Sequence, residues 1–104
     1  MMQYRVIHDR FGNEIYLTEE RWLHILDRHD ELIGRLDDVL DTVCYGQRRQ
    51  EVLEPQKYRY RRAYDDLPHG DNHIVVIVMF LHNDAGASNN FIVTAWGTYI
   101  HPKN

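Results

Sequence analysis

The hydrophobic period of this chain changes once, close to Gly46, and this change limits the fold more than any other feature of the sequence. Before Gly46, apolar residues recur every three or four positions, which is the period of an α-helix. After Gly46, side chains alternate in polarity or form short apolar runs, as they do in β-strands. Helices followed by strands are typical of an α+β domain, in which the helices pack on one face of an antiparallel sheet.

Two amphipathic helices are predicted in the N-terminal half. The first begins after Thr18, whose hydroxyl can accept a hydrogen bond from a free backbone amide. Its inward face carries Trp22, Ile25, Leu26 and His29. The second begins after Asp30, and we expect Gly46 to take the left-handed position at its C-terminal end. Its inward face carries Leu32, Leu36, Val39, Leu40 and Val43.

Four strands joined by short connections are predicted after Gly46, in an order that suits an antiparallel meander. They cover residues 50–54, 57–64, 73–81 and 91–100. A short hairpin, residues 4–8 and 14–17, is a further candidate element before the helices. We therefore expect a single α+β domain over residues 1–104, with two N-terminal helices packed on a four-stranded antiparallel sheet.

Alternation assigns the side chains of two of these strands to faces. In residues 57–64, Lys57, Arg59 and Arg61 share one face, and Tyr58 and Tyr60 lie on the other. One face of the last strand is expected to carry Ile92, Thr94, Trp96, Thr98 and Ile100. The sheet is therefore predicted to carry basic side chains on one face and aromatic side chains on the opposite face.

Length and composition exclude several classes of protein. A chain of 104 residues fits one domain. The longest apolar run, Ile74–Leu81, is too short to cross a membrane. The single cysteine, Cys44, excludes an intramolecular disulfide framework and a multi-cysteine zinc site. Residues 1–5 contain no apolar signal core. We expect a cytoplasmic protein that binds no membrane, metal or cofactor.

The charge of the chain is unevenly distributed, although the formal net charge is −4. Ten of the twelve basic residues are arginine, which offers phosphate a planar, bidentate group. Six cations lie within a fifteen-residue segment: Arg48, Arg49, Lys57, Arg59, Arg61 and Arg62. The second predicted helix is acidic instead. The alternative interpretation is a solvated surface of weak charge pairs.

The polar stripe of the first helix and the basic strand together suggest phosphate chemistry. The stripe carries Arg21, His24 and Arg28, and the strand carries Lys57, Arg59 and Arg61. RNA cleavage without a metal needs a base for the 2′-hydroxyl proton, an acid for the leaving 5′-oxygen, and cations for the phosphorane. Histidine can fill either proton-transfer role, whereas arginine can hold phosphate.

Each candidate residue also has a purely structural interpretation. His24 is then an ordinary exposed helix residue, and His29 is a hydrogen-bonded packing residue beside Trp22. Arg28 pairs with a nearby carboxylate, and Thr94 favours its strand through β-branching. The sequence leaves these alternatives open.

One segment, residues 17–32 (LTEERWLHILDRHDEL), resembles the opening of small phage- and bacterium-encoded domains of the barnase–EndoU–colicin–RelE superfamily. That opening is of the type T-x-E-R-W-x-H-I-x-x-R-H-P-E-L. Further counterparts are Val39–Val43, Tyr58–Arg62 and Val93–Ala95. The similarity covers roughly residues 14–100, and the first-helix segment is its most specific part.

The resemblance implies metal-free RNA cleavage, often in toxins or in conflicts between mobile elements and hosts. By position, His24, Arg28 and His29 match the polar residues of the first helix. Arg59 or Arg61 matches the strand cation, and Thr94 the hydroxyl of the last strand. We expect the cations around this site to bind the nucleic acid, namely Arg21, Lys57 and Arg62.

The leading hypothesis is thus a metal-independent ribonuclease-like domain with RNA as its partner, and with an inhibitor or antitoxin as a further candidate partner. The first alternative is a non-catalytic RNA- or protein-binding module on the same scaffold. The second is a small acidic interaction or inhibitor protein, whose second helix meets a basic partner.

Overall fold

The computed structural model describes residues 4–102 and has two α-helices packed on one face of a six-stranded sheet. Single 3-10 turns occupy Asp30–Leu32 and Pro68–Gly70. The helices and strands, in chain order, are β1 (Tyr4–His8), β2 (Glu14–Thr18), α1 (Glu19–Arg28), α2 (Leu36–Tyr45), β3 (Gln47–Gln50), β4 (Lys57–Ala63), β5 (His73–His82) and β6 (Ser88–Thr98).

The prediction of a four-stranded antiparallel sheet was wrong, because the N-terminal hairpin is part of the sheet. The strand order is β1-β2-β6-β5-β4-β3, and β2 pairs in parallel with β6 at Tyr16 and Phe91. The other four pairs are antiparallel. The hairpin joins the sheet because Ile15 and Leu17 of β2 are buried in the common core. The fold is therefore α+β with a mixed sheet.

The two helices begin differently from each other. Thr18 caps α1 as predicted, since its hydroxyl accepts a hydrogen bond from the backbone amide of Arg21 at 3.1 Å. The second helix starts at Leu36 rather than after Asp30, which instead opens a 3-10 turn. Gly34 separates that turn from α2 with a φ of +78°, a backbone conformation that favours glycine.

Gly46 does not adopt the predicted left-handed conformation. Its φ is −77°, and the chain runs on directly into β3. A Cβ atom at this position would collide with the carbonyl oxygens of Thr42 and Arg61. Glycine is required here because helix and sheet backbones approach closely. The first strand after it covers Gln47–Gln50, earlier than predicted, since residues 51–56 form the turn that leads into β4.

The main core lies between the two helices and one face of the sheet. Tyr60, Ile74 and Val76 contribute to it from the sheet, and Ile25 and Val43 from the helices. We call this side of the sheet the helix-bearing face. Residues that alternate with the first three point to the opposite side, which we call the open face because no helix packs on it among residues 4–102.

A β-bulge in β6 changes which residues reach the open face. Ile77 pairs with Thr94 but Val78 pairs with Ile92, so Val93 is an extra residue on β6. Ile92 therefore lies in the main core, while Thr94 and Trp96 lie on the open face. The prediction that Ile92 shares a face with Trp96 was wrong, because strict alternation does not continue through a bulge.

Candidate functional site

The open face contains a cavity of about 540 Å³, and half of its lining residues are arginine. Among residues 4–102, no carboxylate lines it. We call it the arginine cavity; its lining consists of Arg10, Gln47, Arg48, Arg49, Arg59, Arg61, Val75, Trp96, Thr98 and Ile100.

Strand register brings most of these side chains together. Arg49 of β3 lies opposite Arg59 of β4, and two residues along β4 Arg61 lies opposite Val75 of β5. Val75 in turn lies opposite Trp96 of β6. Because directly paired residues point to the same side of a sheet, Arg49, Arg59 and Arg61 share the open face with the indole of β6. Val75 is only 2% exposed beneath them.

The positive charge of the cavity is only partly neutralised. Arg59 Nε lies 3.0 Å from Glu51 Oε1, and an Arg48 nitrogen lies 3.7 Å from Asp9 Oδ2. Within residues 4–102, Arg10, Arg49 and Arg61 have no carboxylate within 4.0 Å. Arginines that are grouped without counter-charges create a positive potential, so the cavity attracts anions.

Arg48 is paired with the buried Tyr60, so its side chain points to the helix-bearing side of the sheet, away from Arg49 and Arg59. Its guanidinium lies 4.1 Å from the ring centre of Phe11 and 4.5 Å from that of Tyr58. These cation–π contacts hold the β1–β2 turn against β3 and β4. Because Arg10 precedes Phe11 in that turn, the same contacts bring Arg10 to the cavity.

A buried carboxylate, Asp9, fixes this turn from the helix-bearing side. It accepts hydrogen bonds from the Tyr60 hydroxyl at 2.5 Å and from the backbone amides of Phe11 and Asn13 at 3.0 and 2.9 Å. Burial alone would raise the pKa of Asp9, but these hydrogen bonds hold it below its ordinary value. Burial, together with the Asp9 carboxylate, raises the pKa of Tyr60. Both groups therefore keep one protonation state near neutral pH and act in folding.

Trp96 connects the arginine cavity to the first helix. The Arg59 guanidinium lies 5.8 Å from its ring centre, and the imidazole centre of His29 lies 6.4 Å from it. His29 reaches Trp96 because α1 packs beside β6, past the point where β2 leaves the sheet. His29 Nδ1 also lies 3.6 Å from Glu31 Oε2. One of the two predicted histidines is thus placed at the border of the cavity.

The polar stripe of the first helix is placed differently. Arg21, His24 and Arg28 are exposed on α1, which lies on the helix-bearing face. In the described part of the chain, no side-chain hydrogen bond, ion pair or ring contact joins them to the arginine cavity. The structure therefore brings His29, unlike His24, to Trp96, whose ring the Arg59 guanidinium also approaches.

The remaining predicted residues occupy three different environments. Thr94 is half-buried on the open face, opposite Ile77. Lys57 Nζ forms an ion pair with Glu54 Oε2 at 3.0 Å. Arg62 lies on the helix-bearing face, where its guanidinium is 5.4 Å from the ring centre of Tyr45. A hydrogen bond to the Tyr64 hydroxyl, at 3.4 Å, raises the pKa of Arg62. Neither Lys57 nor Arg62 lines the cavity.

His73, which starts β5 on the open face, is a candidate residue that was not predicted from the sequence. His73 is paired with Thr98, a lining residue of the cavity, and its Nδ1 lies 2.8 Å from Asn72 Oδ1. Burial, with a smaller contribution from the Arg61 charge, lowers its pKa. A signal for its position is present in the sequence, since His73 alternates with Val75 and Ile77 along a single strand.

Comparison with protein-family models, with characterised proteins and with solved structures gives no match. Over residues 4–102, no group of three or more histidine, cysteine, aspartate or glutamate side chains is arranged to hold a metal ion. Neither helix is long and apolar enough to cross a bilayer, within the same residues.

Proposed function

We propose that this chain is an RNA-binding, ribonuclease-like domain that holds the phosphodiester backbone in the arginine cavity. The observation that carries the proposal is the convergence of Arg10, Arg49, Arg59 and Arg61 in a cavity that no carboxylate of residues 4–102 lines. Three of them, Arg10, Arg49 and Arg61, have no ion-pair partner in residues 4–102. Phosphate oxygens accept the paired N–H groups of guanidinium, so a phosphate diester suits this lining.

The aromatic and polar lining favours a single-stranded nucleic acid over a simple anion. Trp96 offers an indole beside the arginines, and unstacked bases bind to such rings. Thr98 and Gln47 add groups that can donate or accept hydrogen bonds at a ribose 2′-hydroxyl. These features together support RNA.

Cleavage is supported by His29 and by the resemblance of residues 17–32 to a superfamily of metal-free ribonucleases. The His29 imidazole lies beside Trp96, a residue that lines the cavity, and an imidazole can exchange a proton near neutral pH. The arginines would stabilise the charge that develops on the phosphorus oxygens.

The non-catalytic RNA-binding module is the second candidate function. It is favoured by the position of His24, which is exposed on α1 and has no contact to the cavity within residues 4–102. Transesterification needs a base and an acid. Of the histidines predicted for these roles, the geometry brings His29 alone to the border of the cavity.

Binding to a fluorescent single-stranded RNA, followed by anisotropy over a series of salt concentrations, tests the proposal. We expect the double variant R59A/R61A to bind about ten- to a hundredfold more weakly than the wild type, since each change removes charged hydrogen bonds. The slope of log K against log[salt] should fall by about 0.7 for each phosphate that the variant no longer neutralises. R5A, an exposed arginine of β1 outside the cavity, is the matched control.

The same RNA incubated with the protein in EDTA separates the two candidate functions. Fragments ending in 2′,3′-cyclic phosphate would identify the ribonuclease, and intact RNA with salt-sensitive binding would identify the module. Equal binding by the wild type and R59A/R61A, or no binding at low salt, would contradict the proposal as a whole.

A further inference from the structure

A second histidine, His73, borders the arginine cavity on the open face. It is directly paired with Thr98, and the next open-face residue of β5 is Val75; both line the cavity. Arg61, opposite Val75, is close enough for its charge to act on the imidazole. His73 is therefore at the rim of the cavity, beside one of the arginines that has no ion-pair partner in residues 4–102.

The side chain of Asn72 determines which nitrogen of His73 carries the proton. Asn72 Oδ1 accepts a hydrogen bond from the Ile100 amide at 2.8 Å, and Asn72 Nδ2 donates one to the Ile100 carbonyl at 2.9 Å. This double contact orients the amide, so the atom that His73 Nδ1 meets at 2.8 Å is an acceptor. His73 Nδ1 must then be the donor, and Nε2 carries the lone pair of the neutral ring.

The charges around His73 favour the neutral ring. Arg61 on β4 is positive, and Thr98 on β6 is uncharged. The nearest carboxylate in sequence, Asp71, lies next to Gly97 on the helix-bearing face. Burial and the Arg61 charge both lower the pKa of His73, so that Nε2 is free to accept a proton at neutral pH.

We propose that His73 is the catalytic base of the ribonuclease reaction and that Asn72 is its positioning residue. This inference rests on the proposed function, and it assigns one of its two proton-transfer roles. His29, on the other side of Trp96, takes the complementary role of acid.

The reaction balances with these two imidazoles. His73 Nε2 takes the proton of a ribose 2′-hydroxyl, and the 2′-oxygen forms a bond to the adjacent phosphorus. The bond from phosphorus to the 5′-oxygen breaks, and that oxygen takes a proton from the His29 imidazolium. The products are a 2′,3′-cyclic phosphate and a 5′-hydroxyl, with no oxidant, reductant or metal involved.

The variant H73N tests the base directly. Its amide nitrogen can still donate to Asn72 Oδ1, but it cannot accept a proton at the position of Nε2. We expect cleavage of a single-stranded RNA in EDTA to fall by about 10²- to 10⁴-fold, with binding unchanged within about twofold. H82N, at the exposed opposite end of the same strand, is the matched control. H73Q is a second variant if thermal unfolding shows that H73N folds poorly.

The variant N72D tests the positioning role through the pH profile of kcat/KM. A carboxylate at this position still accepts from His73 Nδ1 and favours the charged ring, so the pKa of His73 should rise. We expect the acidic limb of the profile to move to higher pH in N72D. A residue that only supports folding would leave the position of this limb unchanged.

The outcomes distinguish this inference from the proposed function. If the wild type binds no RNA, the proposed function fails and the inference fails with it. If RNA binds but is not cleaved, or if H73N and H73Q cleave at the wild-type rate, His73 is not the base, and RNA binding stands. An unchanged acidic limb in N72D would mean that the limb does not report His73, and would overturn the roles of both His73 and Asn72.

Discussion

The two faces of the sheet exclude water by different means. On the helix-bearing face, Tyr60 and Val76 are fully buried under the two helices. On the open face, Val75 and Ile77 are 2% and 7% exposed although no helix of residues 4–102 covers them. The shielding comes from longer neighbours on the same face, since Arg61 and Trp96 flank Val75, and Arg59 and Thr94 flank Ile77. Neighbouring residues on one strand therefore belong to the main core on one side and to the arginine cavity on the other.

The charged groups of the two faces differ in whether they have partners within the protein. The carboxylate of Asp9, on the helix-bearing side, is fully satisfied by hydrogen bonds from Tyr60, Phe11 and Asn13. The arginines of the open face are grouped, and three lack an ion-pair partner in residues 4–102. Satisfied buried charges support folding, whereas uncompensated surface charges favour a ligand of opposite sign.

The largest expected effect is a difference in stability between substitutions at two adjacent residues of β4. Tyr60→Ala should lower the free energy of unfolding by about 3–5 kcal/mol, because it leaves a cavity in the main core. Arg61→Ala, on the open face, should change it by roughly 0.5 kcal/mol or less. Urea unfolding measures both. Similar decreases in the free energy of unfolding of the two variants would show that the open face contributes as much to stability as the helix-bearing face.

Removing the charge of Asp9 should have the next largest effect. In the wild type, Asn13 Nδ2 and the Tyr60 hydroxyl both donate to Asp9 Oδ2. Asp9→Asn replaces this carboxylate by an amide and should lower the free energy of unfolding by about 1–3 kcal/mol at pH 7. Because the folded-state pKa of Asp9 is lowered, its contribution is complete above the ordinary aspartate pKa. It is lost as pH falls through the folded-state value. Unfolding curves at several pH values should show the two proteins converging in acid; a constant difference would contradict this.

Replacing Trp96 should affect binding more than folding. Trp96→Ala should weaken binding of single-stranded RNA by about 1–3 kcal/mol, the usual contribution of one stacked base. Trp96→Phe keeps an aromatic ring and is expected to retain most of the affinity. Fluorescence anisotropy gives both values. Equal affinity in the wild type and Trp96→Ala would exclude a base on this ring.

The smallest expected effect has the opposite sign. Glu51→Gln releases Arg59 from its exposed ion pair, so RNA should bind up to about fivefold more tightly. Glu54→Gln, which breaks the comparable pair with Lys57 outside the cavity, is the control and should leave the affinity unchanged. Anisotropy at low salt measures the difference. Weaker binding by Glu51→Gln would mean that Glu51 holds Arg59 in its binding position.

The helices could be predicted from the sequence because their signals are local. The spacing of Trp22 and Ile25 and the hydroxyl of Thr18 all lie within one helix and its cap. The place of the hairpin in the sheet could not be predicted this way. It depends on the parallel pairing of Tyr16 with Phe91, residues that are far apart in the chain and carry no mutual signal in sequence.

Only the part of the candidate site that lies on a single strand was predicted from the sequence. Arg59 and Arg61 share the open face of β4 as alternation required. Arg10 joins them because Arg48 packs on Phe11, a contact between distant segments. The bulge at Val93 is equally non-local, since a register shift appears only when the partner strand is known.

That bulge has a consequence for how the chain can vary in length. One residue fewer between Ile92 and Thr94 would restore strict alternation, turn the indole of Trp96 toward α1 and expose Ala95. A single deletion there would exchange inside and outside over the rest of β6, whereas the exposed turn at residues 83–87 can gain or lose residues without such an inversion. The number of residues between Ile92 and Thr94 is thus constrained as strictly as the side chains of this segment.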